Sequence, residues 1–226
     1  AAGEIVREQG QPMGLLYESA SMRVMQEHWK AELDSGSAED GVRMCSQASR
    51  RYAEAGITTA HDALVTPFSL RAYQDALARD ELYVRVYTMN LHDTAEPLLE
   101  AGIKFRFGSD MLRIGPIKIF YDGGMTSRTA YVSEPYKIEP YGTGIQLLDK
   151  ETLREKIKRY NDLGYQIAVH AQGDAAIRDT LECFSAAMGA GSGNPLRHRI
   201  EHCGAVFDDL IPLCKELGIL VSSQPG

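Results

Sequence analysis

Two histidines that each end a short predicted strand have the type and spacing that best fit metal chemistry. His170 ends Tyr165-Gln-Ile-Ala-Val-His170, and His202 ends Arg197-His-Arg-Ile-Glu-His202, 202 − 170 = 32 residues further along. Neutral imidazoles are good ligands for Zn²⁺ and similar divalent metals. One strand-end histidine is more often a hydrogen-bonded core residue, but two on successive parallel strands would be neighbours in space. The pair is a candidate metal site, and Asp174 is expected to cap the helix that follows His170.

Lys118 lies within another apolar run, Gly115-Pro-Ile-Lys-Ile-Phe-Tyr121. In a strand of period two, Lys118 shares one face with Phe120 and Asp122. A strand covered on both sides would hold the ammonium away from water, which is costly unless the charge is paired. Three interpretations are open: an ion pair with a carboxylate of a neighbouring strand, a Schiff-base nucleophile with a lowered pKa, or a carboxylated lysine that binds metal ions. Both reactive forms start from the neutral amine, which burial favours.

The other histidines and the motifs of other enzyme classes offer weaker candidates. His61 is expected to be structural or to lie behind the residues that bind a metal, while His28 and His92 are expected at the surface. Gly108-Ser-Asp110 precedes the lysine run and is expected to form a loop. The sequence has no GxGxxG, GxxxxGK[ST] or GxSxG motif, which disfavours dinucleotide binding, nucleotide binding and serine-hydrolase chemistry.

Alternating strands and helices from residue 56 onwards would bring these side chains together. Short apolar runs predict six strands, at residues 57–61, 82–90, 115–121, 165–170, 199–202 and 219–223. Helical spacing predicts helices at 69–79, 150–163, 175–188 and 208–217, with a weaker signal at 93–101. This alternation indicates a parallel sheet covered by helices, whose strands gather their carboxyl ends at one ligand-binding face. It fits either an open doubly wound sheet or most of an eight-stranded barrel.

The first 55 residues have a different pattern. Residues 3–17 form short alternating runs between Gly and Pro, which predicts a small hairpin. Residues 19–33 and 39–55 have helical spacing, with Met22, Met25 and Trp29 on one stripe of the first segment. We therefore expect a hairpin and helical section at residues 1–55 and an α/β domain at residues 56–226.

Composition and charge exclude several classes of function. The 226 residues contain 24 Lys+Arg and 31 Asp+Glu, a formal charge of −7, and no basic cluster that would bind nucleic acid. No apolar stretch reaches the roughly 18 residues of a membrane helix. The four cysteines have no CxxC spacing, so we expect free thiols, and with no signal peptide we expect a cytoplasmic location.

Five motifs taken together resemble the amidohydrolase superfamily, and more closely its amidohydrolase-3 branch of YtcJ-like and N-substituted formamide deformylase-like metal-dependent hydrolases. They are Ala55-Gly-Ile-Thr-Thr-Ala-His-Asp62, Ile117-Lys-Ile-Phe-Tyr-Asp-Gly-Gly124 with Ser127-Arg-Thr-Ala130, Val169-His-Ala-Gln-Gly-Asp174, Arg199-Ile-Glu-His202 and Ser223-Gln-Pro225. They occur in the family's order, and the resemblance runs from the Gly14-Leu-Leu-Tyr-Glu-Ser-Ala20 region to the end of the chain.

The resemblance implies a partial TIM (β/α)8 barrel of the metal-dependent hydrolase type, comprising strands 2 to 7. The family's carboxylated lysine falls on Lys118, and its fifth- and sixth-strand metal histidines fall on His170 and His202. The implied cofactor is a divalent metal, zinc above all. The implied reaction is hydrolysis of a carbon–nitrogen bond in a small amide-like substrate, by a metal-activated water.

Two departures from the family pattern bear on function. The first-strand His-x-His pair has no counterpart among the 226 residues, and the eighth-strand aspartate would follow Gln224-Pro225, where this sequence ends. We therefore expect a piece of a longer hydrolase that is inactive by itself and that forms homo-oligomers through its open sheet edges. The alternatives are a metal-free lyase or aldolase that uses Lys118 as a Schiff base, and a non-catalytic barrel remnant.

Overall fold

The structure, a computed structural model, describes residues 3–21, 23–24, 27, 37–138, 142–189, 191 and 193–224. Its strands are β1 (Gly3–Glu8), β2 (Gln11–Glu18), β3 (Thr59–Val65), β4 (Arg85–Leu91), β5 (Leu112–Phe120), β6 (Ile167–Ala171), β7 (Arg199–His202) and β8 (Leu220–Ser222). Its helices are α1 (Ala38–Glu54), α2 (Pro67–Ala78), α3 (Glu96–Glu100), α4 (Lys150–Asp162), α5 (Asp174–Met188) and α6 (Leu210–Leu217). The predicted alternation of strands and helices is confirmed. Most of the predicted helix at 19–33, including Met22, Met25 and Trp29, lies outside the described residues.

The predicted N-terminal hairpin is present. β1 and β2 pair antiparallel, with Gly3 opposite Glu18 and Glu8 opposite Gln11. Gln9 and Gly10 form the turn, and both have positive φ, 49° and 82°. Two successive positive φ values match the right-handed twist of a tight hairpin.

The remaining strands pair in parallel, in the order β3-β4-β5-β6-β7-β8. In β5, six consecutive residues from Ile114 to Ile119 are buried, and all five residues of β6 are buried. Continuous burial is typical of parallel strands covered on both faces, and it explains why their sequences are apolar runs without alternation.

The chain divides into two compact units. The smaller unit spans Glu27–Lys118, and the larger unit combines Ala1–Gln26 with Ile119–Gly226. In the smaller unit, two helices begin at capping boxes, in which Ser37 pairs with Asp40 and Thr66 pairs with Ser69. Each box satisfies backbone N–H groups that the first helical turn leaves without partners.

Two helices of the larger unit share a buried apolar layer. Buried residues of this layer are Leu153, Ile157 and Tyr160 in α4, and Ile177, Leu181 and Phe184 in α5. Asp149 caps α4 by accepting a hydrogen bond from the Thr152 backbone N at 2.8 Å.

Candidate functional site

The ends of β6 and β7 bring His170 and His202 together. The two strands are adjacent and parallel, and Ala171 is the register partner of His202. The two imidazole rings meet edge to face, with centroids 4.5 Å apart and ring planes at 68°. The 32-residue spacing therefore corresponds to spatial neighbours, as expected of one strand–helix unit.

The His170 ring has a defined orientation. Its Nε2 lies 2.9 Å from the carbonyl oxygen of Gly123. Because a carbonyl oxygen can only accept, Nε2 carries the hydrogen and Nδ1 carries the lone pair that a metal would use. The Phe120 ring packs against the imidazole with a centroid separation of 5.2 Å.

His202 is fixed through its other nitrogen. Its Nδ1 donates to Oε1 of Gln224 at 2.5 Å, which leaves the lone pair on Nε2. The backbone is left-handed at His202 (φ 72°) and at Cys203 (φ 54°). Non-glycine residues adopt this conformation at a cost, and such strained residues concentrate at functional sites.

The orientations of the His170 and His202 rings fit those of metal-binding histidines. Metal-binding histidines usually donate their second ring nitrogen to an oxygen, which fixes the tautomer and orients the ligand. His170 does so with a backbone carbonyl and His202 does so with an amide oxygen. Among the described residues, no group of three or more His, Cys, Asp and Glu side chains is arranged to hold a metal, so this pair would need a ligand of another kind.

Lys118, the third residue singled out in the sequence, is the last residue of the smaller unit. It is 1% exposed and pairs in register with Leu91 of β4. Its carbonyl oxygen accepts a hydrogen bond from the His92 backbone N at 3.0 Å. The strand thus buries the amine, as its apolar flanks predict.

Two of the remaining histidines can be compared with expectation. His61 contacts the Tyr87 ring at a centroid distance of 4.9 Å, in keeping with a structural role. The expectation for His92 was wrong, since it is 8% exposed and its Nδ1 lies 2.8 Å from Asp93 Oδ1. A turn after a buried strand can fold back onto the protein, which a local sequence pattern does not reveal. His28 lies outside the described residues.

Asp122 is the residue of this site that sequence reasoning missed. Its carboxylate is buried and accepts three backbone hydrogen bonds of 2.9 Å, from Tyr131, Gln172 and Gly173. Burial raises its pKa to about 7, against the opposing effect of these N–H donors. Oδ1 lies 3.6 Å from His170 Nε2. The available signal was an acidic residue two positions after a buried strand, followed by two glycines.

Asp174 differs from its expected role as a helix cap. The N-cap of α5 is Gly173, and no side chain caps this helix. The Asp174 carboxylate instead accepts hydrogen bonds from the Ser133 backbone N at 3.0 Å and from Ser133 Oγ at 2.5 Å. A segment distant in sequence therefore supplies the donors that the first turn of the helix was expected to supply.

Comparison with known proteins places the chain. A family model described as "Amidohydrolase family" matches residues 1–226. The Bacillus subtilis protein YtcJ, named as an amidohydrolase, is 26% identical over 99% of this chain and 41% of its own length. N-substituted formamide deformylase of Arthrobacter pascens is 25% identical, over 99% of this chain and 42% of its own length. Protein LONG AFTER FAR-RED 3 of Arabidopsis thaliana is 27% identical, over 99% of this chain and 40% of its own length. The chain thus spans about two fifths of the relatives it matches.

Solved structures give the same result for the fold. A metal-dependent hydrolase of Pyrococcus horikoshii OT3 superposes with a TM-score of 0.77 at 24% identity, over 98% of this chain and 44% of that protein. One from Pyrococcus furiosus has a TM-score of 0.76 at 25% identity, over 96% of this chain and 44% of its own. The predicted fold class, a partial (β/α)8 barrel of the metal-dependent hydrolase type with an N-terminal hairpin, is confirmed.

No helix among the described residues is both long and apolar enough to cross a membrane. The family model covers the chain from its first residue to its last, and the motifs around Lys118, His170 and His202 all fall within the match. This chain belongs to the amidohydrolase family.

Proposed function

We propose that this chain is part of a metal-dependent hydrolase that cleaves carbon–nitrogen bonds of non-peptide amides in small molecules. The observation that carries the proposal is the His170–His202 pair, in which each ring holds one nitrogen against an oxygen. The name of the Arthrobacter relative, an N-substituted formamide deformylase, supports an N-acyl or N-formyl substrate.

The proposed metal ligands are Lys118, His170 and His202. The family resemblance assigns Lys118 as a carboxylated lysine, and its burial favours the neutral amine from which that form arises. His170 would bind through Nδ1 and His202 through Nε2, because the opposite nitrogens face Gly123 O and Gln224 Oε1. Two imidazoles and an anionic oxygen suit zinc. When bound, the metal would activate water and polarise the scissile carbonyl.

We further propose that the 226 residues are inactive by themselves. They contain no His-x-His pair, so two histidines and one lysine would be left to hold the metal. These three side chains match the three protein ligands of a catalytic zinc site, so we expect one ion to bind, but they leave no ligands for a second ion beside a bridging carboxylated lysine. We expect no hydrolysis of N-formyl or N-acyl amides by this chain, and metal-dependent turnover that H170N abolishes would contradict this point.

Cobalt binding tests the ligand assignment without requiring turnover. Co²⁺ would be titrated into the chain, while the visible d–d absorption is recorded for wild type, H170N, H202N and K118M. H198N is the matched control, because His198 is a buried histidine of the same unit with hydrogen bonds to Ile167 N and Asn161 Oδ1. We expect each ligand variant to weaken cobalt binding by about tenfold or more, and H198N to leave it unchanged. Ligand variants that bind as wild type does, or a wild type without a His170-dependent signal, would overturn the proposal.

A further inference from the structure

Three carboxylates from separate parts of the chain hold alternate residues of one segment after β5. Glu18 accepts from the Thr129 hydroxyl, Asp122 accepts from the Tyr131 backbone N, and Asp174 accepts from Ser133. We call residues 129–133 the clamped segment. The three acceptors therefore hold this segment at every second residue.

Asp122 differs from the other two carboxylates, because it also binds the residues that follow His170. Its Oδ1 accepts from Gln172 N, and its Oδ2 accepts from both Gly173 N and Tyr131 N, all at 2.9 Å. Through these hydrogen bonds, one side chain connects the segment after β5 to the segment after β6.

The segment after β5 that Asp122 connects to β6 also contacts the His170 ring. The residue after Asp122 is Gly123, whose carbonyl oxygen contacts His170 Nε2 at 2.9 Å. The Asp122 carboxylate itself lies 3.6 Å from the same nitrogen, beyond hydrogen-bond length but close enough to attract its hydrogen. The Gly123 carbonyl orients the His170 ring. Asp122 in turn holds this carbonyl in place by its hydrogen bonds with the residues that follow β6, the strand of His170.

Glycine is required at two positions where the segments after β5 and β6 come close to other atoms. A Cβ on Gly173 would lie 1.8 Å from the Tyr131 carbonyl oxygen, and a Cβ on Gly123 would lie 2.2 Å from Thr129 Oγ1. At Gly173 the close neighbour is backbone and at Gly123 it is the side chain of Thr129, so neither position has room for a Cβ. The approach sets the Asp122 carboxylate within reach of its three donors.

We infer that Asp122 is a positioning residue, which holds His170 in the tautomer with hydrogen on Nε2 and the lone pair on Nδ1. The inference rests on the proposed function, in that this tautomer presents Nδ1 as the metal-binding atom. Asp122 acts through the Gly123 carbonyl, whose position it fixes by its hydrogen bonds with Tyr131, Gln172 and Gly173. Asp174 holds the same clamped segment, but through hydrogen bonds from Ser133 rather than from Tyr131, Gln172 or Gly173.

The test measures the tautomer directly in the metal-free chain. Histidine labelled with ¹⁵N in the ring gives separate signals for the hydrogen-bearing and lone-pair nitrogens, and H170N assigns the His170 signals. We expect the wild type to show hydrogen on Nε2. In D122N, an amide NH₂, which cannot accept a hydrogen bond, replaces one carboxylate oxygen, so at least one of the three backbone hydrogen bonds is lost. Both His170 nitrogen shifts should then move toward their common average, as in a mixture of tautomers.

D174N is the matched control, since it removes a buried carboxylate that holds the same clamped segment. We expect it to lower stability and to leave the His170 tautomer unchanged. If D122N keeps the wild-type shifts, or if D174N moves them equally, the inference is wrong. Should D122N fail to fold, the wild type still decides, because hydrogen on Nδ1 of His170 would overturn the inference.

A cobalt titration of the same samples separates this inference from the proposed function. Wild type that shows the expected tautomer but no His170-dependent cobalt binding would refute the metal role and leave the positioning role standing. If wild type binds cobalt through His170 but D122N has the same His170 tautomer as wild type, the positioning role is refuted and the metal role stands.

Discussion

His170 and His202 present opposite ring nitrogens to oxygen partners, although their rings lie only 4.5 Å apart. His170 uses Nε2 toward Gly123 O, and His202 uses Nδ1 toward Gln224 Oε1. The two lone pairs therefore come from different positions on the two rings. A second group fixes each ring, so the pair is oriented before any ligand arrives.

Replacing Gln224 by alanine should weaken metal binding with little effect on folding. Gln224 is exposed and fixes the His202 ring through Nδ1. Loss of an oxygen partner of this kind typically costs about tenfold in metal affinity. Cobalt titration of Q224A measures the effect, with Q74A as the control, because Gln74 bonds only its own helix. Equal affinities for wild type and Q224A would show that the amide does not orient the ring.

Gly173→Ala should destabilise the larger unit strongly. The new Cβ would lie 1.8 Å from the Tyr131 carbonyl oxygen and 2.3 Å from its carbon, so the backbone must shift. We expect a loss of about 3 kcal/mol or more in the free energy of unfolding, measured in urea. G124A is the control, because its Cβ would meet only the flexible Ser127 hydroxyl, at 3.0 Å. Similar losses in both variants would contradict this explanation.

His198 should make folding sensitive to acid. The ring is fully buried, stacks on Phe184, and accepts a hydrogen bond from Ile167 N through Nδ1. Burial lowers its pKa from 6.5 to about 4. Above pH 6.5 the ring is neutral whether the chain is folded or unfolded, so its contribution is complete there. Between pH 6.5 and 4 only the unfolded chain takes up the proton, and stability falls by up to about 3 kcal/mol.

The H198Q variant isolates this contribution from other titrating groups. It should be less stable than wild type at pH 7, because the ring's hydrogen bonds and stacking are lost. The difference in unfolding free energy between the two proteins should shrink as the pH falls from 6.5 to 4. A difference that is constant over this interval would show that His198 is not held neutral.

Two carboxylates that share Lys150 should differ in their contribution to stability. Lys150 Nζ lies 2.7 Å from Asp179 Oδ1 and 2.5 Å from Glu182 Oε2. The Asp179 side chain is 15% exposed and also accepts a hydrogen bond from the buried Tyr121 hydroxyl at 2.7 Å, whereas Glu182 is 53% exposed. We expect D179N to cost about 1–2 kcal/mol and E182Q less than about 0.5 kcal/mol in urea unfolding. The reverse order would contradict the argument from burial.

Self-association through β8 is the expectation for the oligomeric state. β8 ends the strand order of the sheet, and Val221 on it is 46% exposed. Phe207 and Ile211, which precede it in sequence, are also exposed. Sedimentation velocity should show concentration-dependent dimers, which V221K reduces because a charge at a strand edge blocks pairing. M44K, on the exposed side of α1, is the control, and a monomer at every concentration would end this proposal.

The sequence by itself determined the element types and the approximate positions of the strands, although His61, the predicted end of the first strand, lies inside β3. Burial on both faces makes β5 and β6 continuous apolar runs, and Asp149 marks the start of α4, so local patterns suffice. The histidine pair follows from the same reasoning, since parallel strands one unit apart place equivalent ends side by side.

Only the tertiary structure decided which atoms hold these groups. Asp122 bonds to residues 50 and 51 positions away, and Asp174 bonds to a serine 41 positions away. A local pattern predicts that a carboxylate at the start of a helix caps that helix. Asp174 instead accepts hydrogen bonds from two donors of Ser133, which lies in a distant segment. The ring orientations of His170 and His202 depend likewise on Gly123 and Gln224. Hydrogen bonding is directional and short-ranged, so partners distant in sequence are fixed only when the chain is folded.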